Sequence, residues 1–149
     1  MTNMWLNVMI KIAHRGNING KSIELENTIS YLVNALDKGY DVECDVRIID
    51  GNYYLGHDEP QEMVDISFFT SNVWVHAKNI ETYLSLFGKC ENLFFHTYEH
   101  CVLTTSNKIW TLPGQKLSEN SIQVMPEYVG EAFNKNVYGI CTDFVSEIK

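Results

Sequence analysis

The stretch DVECDVRIIDGNYYLGHD carries the pattern of a strand followed by a tight hairpin turn. Apolar residues alternate there with three charged ones, Glu43, Asp45 and Arg47. Because side chains on a strand switch faces at every residue, these three share one face. Two carboxylates on a buried face are costly without compensation, and hard divalent cations prefer carboxylate oxygens. The pattern predicts a cation at Glu43 and Asp45, unless this face is solvated. The Asp-Gly pair at 50–51 predicts a hairpin that brings His57 back toward the acids.

The composition predicts one folded domain over residues 1–149, because the chain is 45% hydrophobic and 20% charged, without a low-complexity run. Its net charge of -8 argues against nucleic acid as a partner, since that binding needs clustered Lys and Arg. An anionic phosphate substrate would need local positive charge from a metal, Arg or Lys.

The N-terminal sequence MTNMWLNVMIKIAHRG contains an apolar stretch that is too short and too interrupted to span a membrane. It also lacks the basic start and the cleavage site of a signal peptide. Four cysteines lie far apart and match no zinc spacing, which favours reduced thiols. These features predict a cytoplasmic protein without a membrane span. Nothing in the sequence indicates an oligomeric state.

Strands and helices alternate along the first part of the chain, which predicts parallel strands joined by right-handed crossovers. The patterns predict helices at 29–36, 80–87 and 127–134, and eight strands at 8–13, 41–47, 73–77, 92–96, 101–104, 108–111, 121–125 and 138–142. Eight parallel strands can close a barrel, but a full (β/α)₈ barrel takes about 250 residues. The expected α/β fold is a reduced (β/α)₈ TIM-type barrel that lacks several outer helices, mainly in its second half.

Ionisable residues accumulate where the predicted strands end, which is where parallel barrels place their functional groups. Each alone is an ordinary surface or hydrogen-bonded residue, but so many at one rim predict a site. They are His14, Arg15, Glu43, Asp45, Arg47, His76, Lys78, His96, Glu127 and Asp143.

Four short motifs occur in the order and approximate spacing of the glycerophosphodiester phosphodiesterase family. They are HRG at 14–16, ENT at 26–28, Glu43-x-Asp45 and GHD at 56–58. The chain resembles this family over residues 8–58, with weaker likeness at Lys78 and at CTD 141–143. The resemblance implies a TIM-type barrel and hydrolysis of phosphodiesters with a divalent cation.

The resemblance also implies catalytic roles. His14 and His57 would be the acid–base pair, which suits two groups that titrate near neutrality. Arg15 would hold the phosphate, and Lys78 would help to stabilise its developing charge. Glu26 would orient Arg15 or lie in the outer shell of the metal. The nucleophile is open: it is water or a neighbouring hydroxyl of the substrate.

The metal site departs from the family pattern. Glu43 and Asp45 would bind the cation, but His76 stands where many members have a third carboxylate, two residues before Lys78. A neutral imidazole is a poorer ligand for Mg²⁺ or Ca²⁺ and a better one for transition metals. Either Glu127 supplies the missing carboxylate, or the site favours a softer ion, or the metal is weakly held. We rank these in that order and expect Mg²⁺ or Ca²⁺, with Mn²⁺ as an alternative.

Three functions are compatible with these residues. The first is a phosphoric diester hydrolase that acts on a small glycerophosphodiester-like substrate. The second is a degenerate barrel that binds a phosphorylated ligand or protein partner without turnover, and the third is a structural barrel with no site. The joint presence of two histidines and two carboxylates favours the enzyme, since a binding module needs no acid–base pair.

Overall fold

The structure is a computed structural model that describes residues 8–149, so the predictions for the N-terminal segment before Val8 lie outside the described residues. Ten strands follow in chain order: β1 (Ile10–His14), β2 (Asp41–Ile49), β3 (Asn52–Leu55), β4 (Glu62–Val64), β5 (Val73–Ala77), β6 (Asn92–Phe94), β7 (Cys101–Leu103), β8 (Ile109–Thr111), β9 (Ser121–Val124) and β10 (Gly139–Thr142). The two α-helices are α1 (Ile29–Asp37) and α2 (Ile80–Leu86), and short 3₁₀ turns cover Ile66–Phe68, Pro126–Val129 and Val145–Glu147. Within residues 8–149, no helix has the length and apolar composition needed to cross a membrane.

All ten strands belong to one mixed sheet. Seven of them are parallel, in the spatial order β6-β5-β2-β1-β10-β9-β8. β7 pairs antiparallel with β8, while β3 and β4 form an antiparallel extension on the second half of β2. Among the described residues no ladder joins β6 to β7 or β8, so the sheet is open. The prediction of a reduced (β/α)₈ TIM-type barrel is therefore wrong.

Local features explain why the barrel does not form. β7 and β8 are joined only by residues 104–108, whereas a parallel crossover needs about a dozen residues or more. The helix predicted at 127–134 is a 3₁₀ turn, because Gly130 takes a left-handed φ of 68° directly after it. The free edge of β6 bonds to a loop: the Thr105 N–H donates to the Leu93 carbonyl at 2.9 Å, and the Thr105 hydroxyl accepts from the Leu93 N–H at 2.8 Å.

The hairpin predicted after β2 is confirmed. Asp50 and Gly51 have φ values of 49° and 80°, and Ile49 pairs with Asn52 across the turn. Positive φ at both central residues is the requirement of a tight type I′ turn, which Asp-Gly satisfies with little strain. The turn sends β3 back along β2 and delivers His57 toward the acids of β2.

Apolar side chains pack on both faces of the sheet. The outer cluster joins the helices to one face and includes Leu32 and Ala35 of α1 with Val42, Cys44 and Val46 of β2. The inner cluster lies on the other face and consists of Ile12, Trp74, Phe94, Trp110, Ile122, Val124, Met125 and Cys141. Burial of one such large apolar side chain contributes about 1.5–3 kcal/mol, so the inner cluster stabilises this face of the sheet and gives a rigid apolar base to the side chains that lie on it.

Replacing Gly56 with alanine is expected to lower the free energy of unfolding by about 2 kcal/mol or more. Gly56 has a φ of 143°, and an added Cβ would lie 1.9 Å from the carbonyl oxygen of Glu59. Gly51→Ala is the matched control, because Gly51 also has positive φ but has open space around the added Cβ. Urea denaturation measures both. Equal losses in the two variants would contradict the close contact as the cause.

Candidate metal and catalytic site

The candidate site lies on the inner face, at the carboxyl ends of the parallel strands. Along several of these strands, a residue of the inner cluster is followed two positions later by a polar residue, which therefore points to the same face. The pairs are Ile12 and His14, Trp74 and His76, Phe94 and His96, and Cys141 and Asp143. Because parallel strands end at the same edge, the polar residues converge above the apolar base.

Asp45 is the centre of the cluster and is 1% exposed. Its Oδ1 lies 3.0 Å from Nδ1 of His76 and 3.6 Å from Nζ of Lys78, and its Oδ2 lies 3.0 Å from Nε of Arg15. Asn27 donates to Oδ2 at 2.9 Å and accepts from the Asp45 N–H at 2.9 Å. Burial opposes ionisation, but the hydrogen bond from His76 and the nearby positive charges outweigh it and lower the pKa of Asp45.

Glu43 is in a different electrostatic position, although it is equally buried. Its Oε2 accepts a hydrogen bond from the backbone N–H of Arg15 at 3.3 Å and lies 3.8 Å from Nε2 of His14. The charged side-chain atoms of Arg15 and Lys78 contact Asp45, whereas the ionisable group in contact with Glu43 is His14. Burial and, next, the negative charge of Asp45 raise the pKa of Glu43 to about 7. The charges of His14, Arg15 and Lys78 oppose this rise but do not cancel it.

His14 is held by Asp143. Nδ1 of His14 lies 2.7 Å from Oδ1 of Asp143, and the same oxygen accepts from Nδ2 of Asn17 at 2.8 Å. Burial lowers the pKa of His14, but the Asp143 hydrogen bond and the charge of Glu43 outweigh it, so the pKa is raised. The Asp143 contact leaves Nε2 of His14 as the ring nitrogen that can exchange a proton.

Arg15 is placed by its backbone and by Glu26. Its φ is 53°, a left-handed value that turns the chain sharply after β1. One terminal guanidinium nitrogen lies 3.2 Å from Oε2 of Glu26, while Oε1 of Glu26 accepts from Asn17 at 2.8 Å. The contact places Glu26 beside Arg15, and its role in orienting Arg15 stays a prediction. The two asparagines that brace these groups, Asn17 and Asn27, were not among the predicted site residues.

His57 reaches the mouth of the site and not its centre. Its side chain is 42% exposed, and Nδ1 lies 2.8 Å from Oδ1 of Asp58. Arg47 fixes this loop by donating to the carbonyl oxygens of Gly56 at 3.1 Å and of His57 at 2.6 Å. His57 and His14 nevertheless line the same cavity.

Three side chains can hold a metal ion together: Glu43, Asp45 and His76 each offer one ligand atom, and these atoms lie within 4.8 Å of one another. Glu127, predicted as the third carboxylate, is not in this group. Its Oε1 accepts from the hydroxyl of Thr142 at 2.7 Å and from the N–H of Asp143 at 3.0 Å. In the structure Glu127 thus supports the loop that carries Asp143.

The cluster opens into a cavity of about 190 Å³ with one polar and one apolar wall. The polar wall is formed by His14, Arg15, Glu43, Asp45, His57, His76 and His96, and the apolar wall by Trp110, Leu112, Pro113, Val124, Met125 and Tyr128. Arg15, His57 and Tyr128 also line a neighbouring pocket of about 600 Å³. The polar wall brings ion-binding, charge-stabilising and proton-exchanging groups to one small space.

Comparison with known proteins found no matching family model, no matching curated protein and no matching solved structure. The resemblance to glycerophosphodiester phosphodiesterases therefore depends on the four motifs alone. Five of the motif residues are in contact in the structure: His14, Arg15, Glu26, Glu43 and Asp45.

Proposed function

We propose that this chain is a metal-dependent phosphodiesterase that hydrolyses a small glycerophosphodiester-like substrate. The observation that carries the proposal is the buried group of Glu43, Asp45 and His76 beside Arg15, in a cavity that His14 and His57 also line. Such a site combines the metal ligands, the cationic side chain and the proton-transferring histidines that phosphodiester cleavage requires. Nucleic acid is not proposed as a substrate, given the net charge of -8, and the cytoplasmic setting stays a prediction.

The residues present fit a divalent cation. Ligand atoms within 4.8 Å of one another can share one ion, because metal–ligand bonds are about 2.0–2.6 Å long. Glu43, which no side chain of Arg or Lys contacts in the described residues, would gain a positive charge directly beside its carboxylate. When bound, such an ion polarises a phosphoryl oxygen and lowers the pKa of a bound water.

The protein's own residues supply charge stabilisation and proton transfer. Arg15, oriented by Glu26 and Asp45, and Lys78 stabilise negative charge on the non-bridging phosphoryl oxygens. Asp143 keeps Nδ1 of His14 occupied, so Nε2 donates its proton to the leaving alkoxide oxygen as the bond from phosphorus to that oxygen breaks. His57 at the mouth accepts a proton from the attacking hydroxyl or water.

The test of this proposal is metal-dependent product release. Purified protein is incubated with bis(p-nitrophenyl) phosphate and with an alkyl glycerophosphodiester, each with Mg²⁺, Ca²⁺ or Mn²⁺ and each with excess chelator. We expect release that is proportional to protein, that falls to background with chelator and that returns when the ion is added back. Release that is indifferent to chelator would contradict the proposal. Calorimetric binding of the diester without any release would instead favour the non-catalytic phosphate-binding protein.

A further inference from the structure

We infer that His76 makes the metal site selective for a nitrogen-binding transition metal such as Zn²⁺ over Mg²⁺ and Ca²⁺. The inference rests on the metal site of the proposed function, but it concerns ion affinity and not turnover. It favours the softer ion that the sequence analysis ranked second, and it does so because of the residues that surround one imidazole.

The donor set is the first argument. His76 on β5 pairs in register with Asp45 on β2, so its ring and the Asp45 carboxylate project side by side, 3.0 Å apart. Mg²⁺ and Ca²⁺ take oxygen ligands and gain little from a neutral nitrogen, whereas imidazole suits Zn²⁺ and Fe²⁺. One nitrogen and two carboxylate oxygens form a mixed donor set, which suits the ions that bind imidazole.

The charge balance is the second argument. Arg15 and Lys78 lie 3.0 Å and 3.6 Å from the Asp45 carboxylate, so two cationic side chains already oppose its charge. Glu43 has no Arg or Lys side-chain contact among residues 8–149, and its ionisable contact is Nε2 of His14 at 3.8 Å. A hard ion, whose affinity depends on the number of ligand charges, therefore gains less here than in a site with three unopposed carboxylates. An ion that bonds to nitrogen keeps the affinity that comes from its bond to His76, because that bond does not depend on a negatively charged ligand.

The packing of His76 is the third argument. Its ring is stacked against two aromatic neighbours, with centroids 5.0 Å from Phe94 and 4.4 Å from His96 and with interplanar angles of 7° and 10°. The His76 side chain is only 12% exposed. Stacking and burial restrict rotation of the ring, so it is held beside Asp45 before any ion arrives. The alternative is that His76 is not a ligand and only supports Asp45 through its hydrogen bond. The experiment below distinguishes these two roles.

The experiment compares the wild type with His76→Asp, which restores a third carboxylate, and with His100→Asp, a matched control at an exposed histidine. Chelator-stripped proteins are titrated with Zn²⁺ and with Mg²⁺ in a calorimeter. Zinc binds most sites more tightly than magnesium, so the measured quantity is the ratio of the two dissociation constants. We expect His76→Asp to weaken Zn²⁺ binding by about tenfold or more without weakening Mg²⁺ binding, and His100→Asp to leave the ratio unchanged.

A ratio that is the same in wild type and His76→Asp would overturn the inference, as would a wild type that does not bind Zn²⁺. If His76→Asp does not fold, ¹⁵N resonances of the histidine rings are followed in the wild type during the Zn²⁺ titration. Those of His76 must shift, and unshifted resonances overturn the inference. Zinc bound through His76 without any hydrolysis would leave the inference standing and reject the proposed function. Magnesium-dependent hydrolysis with an unchanged ratio of dissociation constants would support the proposed function and reject the inference.

Discussion

Replacing His14 with alanine is expected to lower kcat for an alkyl glycerophosphodiester by about 100- to 10,000-fold, the usual contribution of a general acid. Nε2 of His14 is the ring nitrogen that Asp143 leaves free, and it faces the cavity beside Glu43. An alkoxide is a poor leaving group and must be protonated as its bond to phosphorus breaks. Steady-state kinetics with saturating metal ion measure the loss.

The same variant separates an acid role from a structural one. A p-nitrophenolate leaves readily without a proton, so His14→Ala should lower kcat for bis(p-nitrophenyl) phosphate much less than for the alkyl diester. An equal loss on both substrates would contradict the acid role and point to damage of the site as a whole. His100→Ala, at an exposed histidine outside the cavity, is the control and should leave both rates unchanged.

Elements with a strong local signal could be predicted from the sequence. β2 and its hairpin follow from strict alternation and an Asp-Gly turn, and both occur, with β3 starting at Asn52. α1 spans Ile29–Asp37, as its apolar spacing requires, and β5 spans Val73–Ala77. Alternation also placed Glu43 and Asp45 on one face, and the structure puts both in the site.

The topology could not be predicted from those local signals. Counting eight strands gave a closed parallel barrel, because a strand pattern carries no sign of its direction or partner. The short connection over residues 104–108 was the available clue that β7 and β8 are antiparallel. The edge of β6, which bonds to Thr105 in a loop, depends on a tertiary contact that no local pattern reports.

The residues that brace the site were the hardest to identify. Asn17 lies in a loop with an ordinary turn composition, and Asn27 belongs to a motif in which only Glu26 was given a role. Asn17 nevertheless donates to Glu26 and Asp143, and Asn27 donates to Asp45. The sequence did not identify His14 as the partner of Asp143, and the structure pairs the two across 129 positions of sequence. Such pairs depend on how strands are ordered in the sheet, so they follow only when the topology is known.

Replacing Asp45 with alanine is expected to lower the free energy of unfolding of the metal-free protein by about 3–5 kcal/mol. Asp45 is 1% exposed, and its carboxylate contacts Arg15, Lys78 and His76. Removing it takes away the carboxylate that Lys78 contacts and leaves Arg15 with Glu26 alone, and breaking such a buried charge group costs more than the original pairing contributes. Urea denaturation in chelator measures the change. Asp58→Ala removes an acid whose side chain is 90% exposed and should change stability by no more than about 0.5 kcal/mol.

Replacing Glu43 with glutamine, on the same strand, should raise the free energy of unfolding, whereas replacing Asp45 lowers it, although the two acids are equally buried. Its pKa is raised from an ordinary value of 4.5 to about 7, so the folded state holds the proton more tightly than the unfolded state does. Stability linked to this group is present below pH 4.5 and is lost as the pH rises through 7, by about 3 kcal/mol. Glutamine mimics the protonated form, so in chelator the variant should gain stability relative to wild type between pH 5 and pH 8. Parallel pH profiles of wild type and variant would show that Glu43 has no raised pKa and that its charge needs no cation.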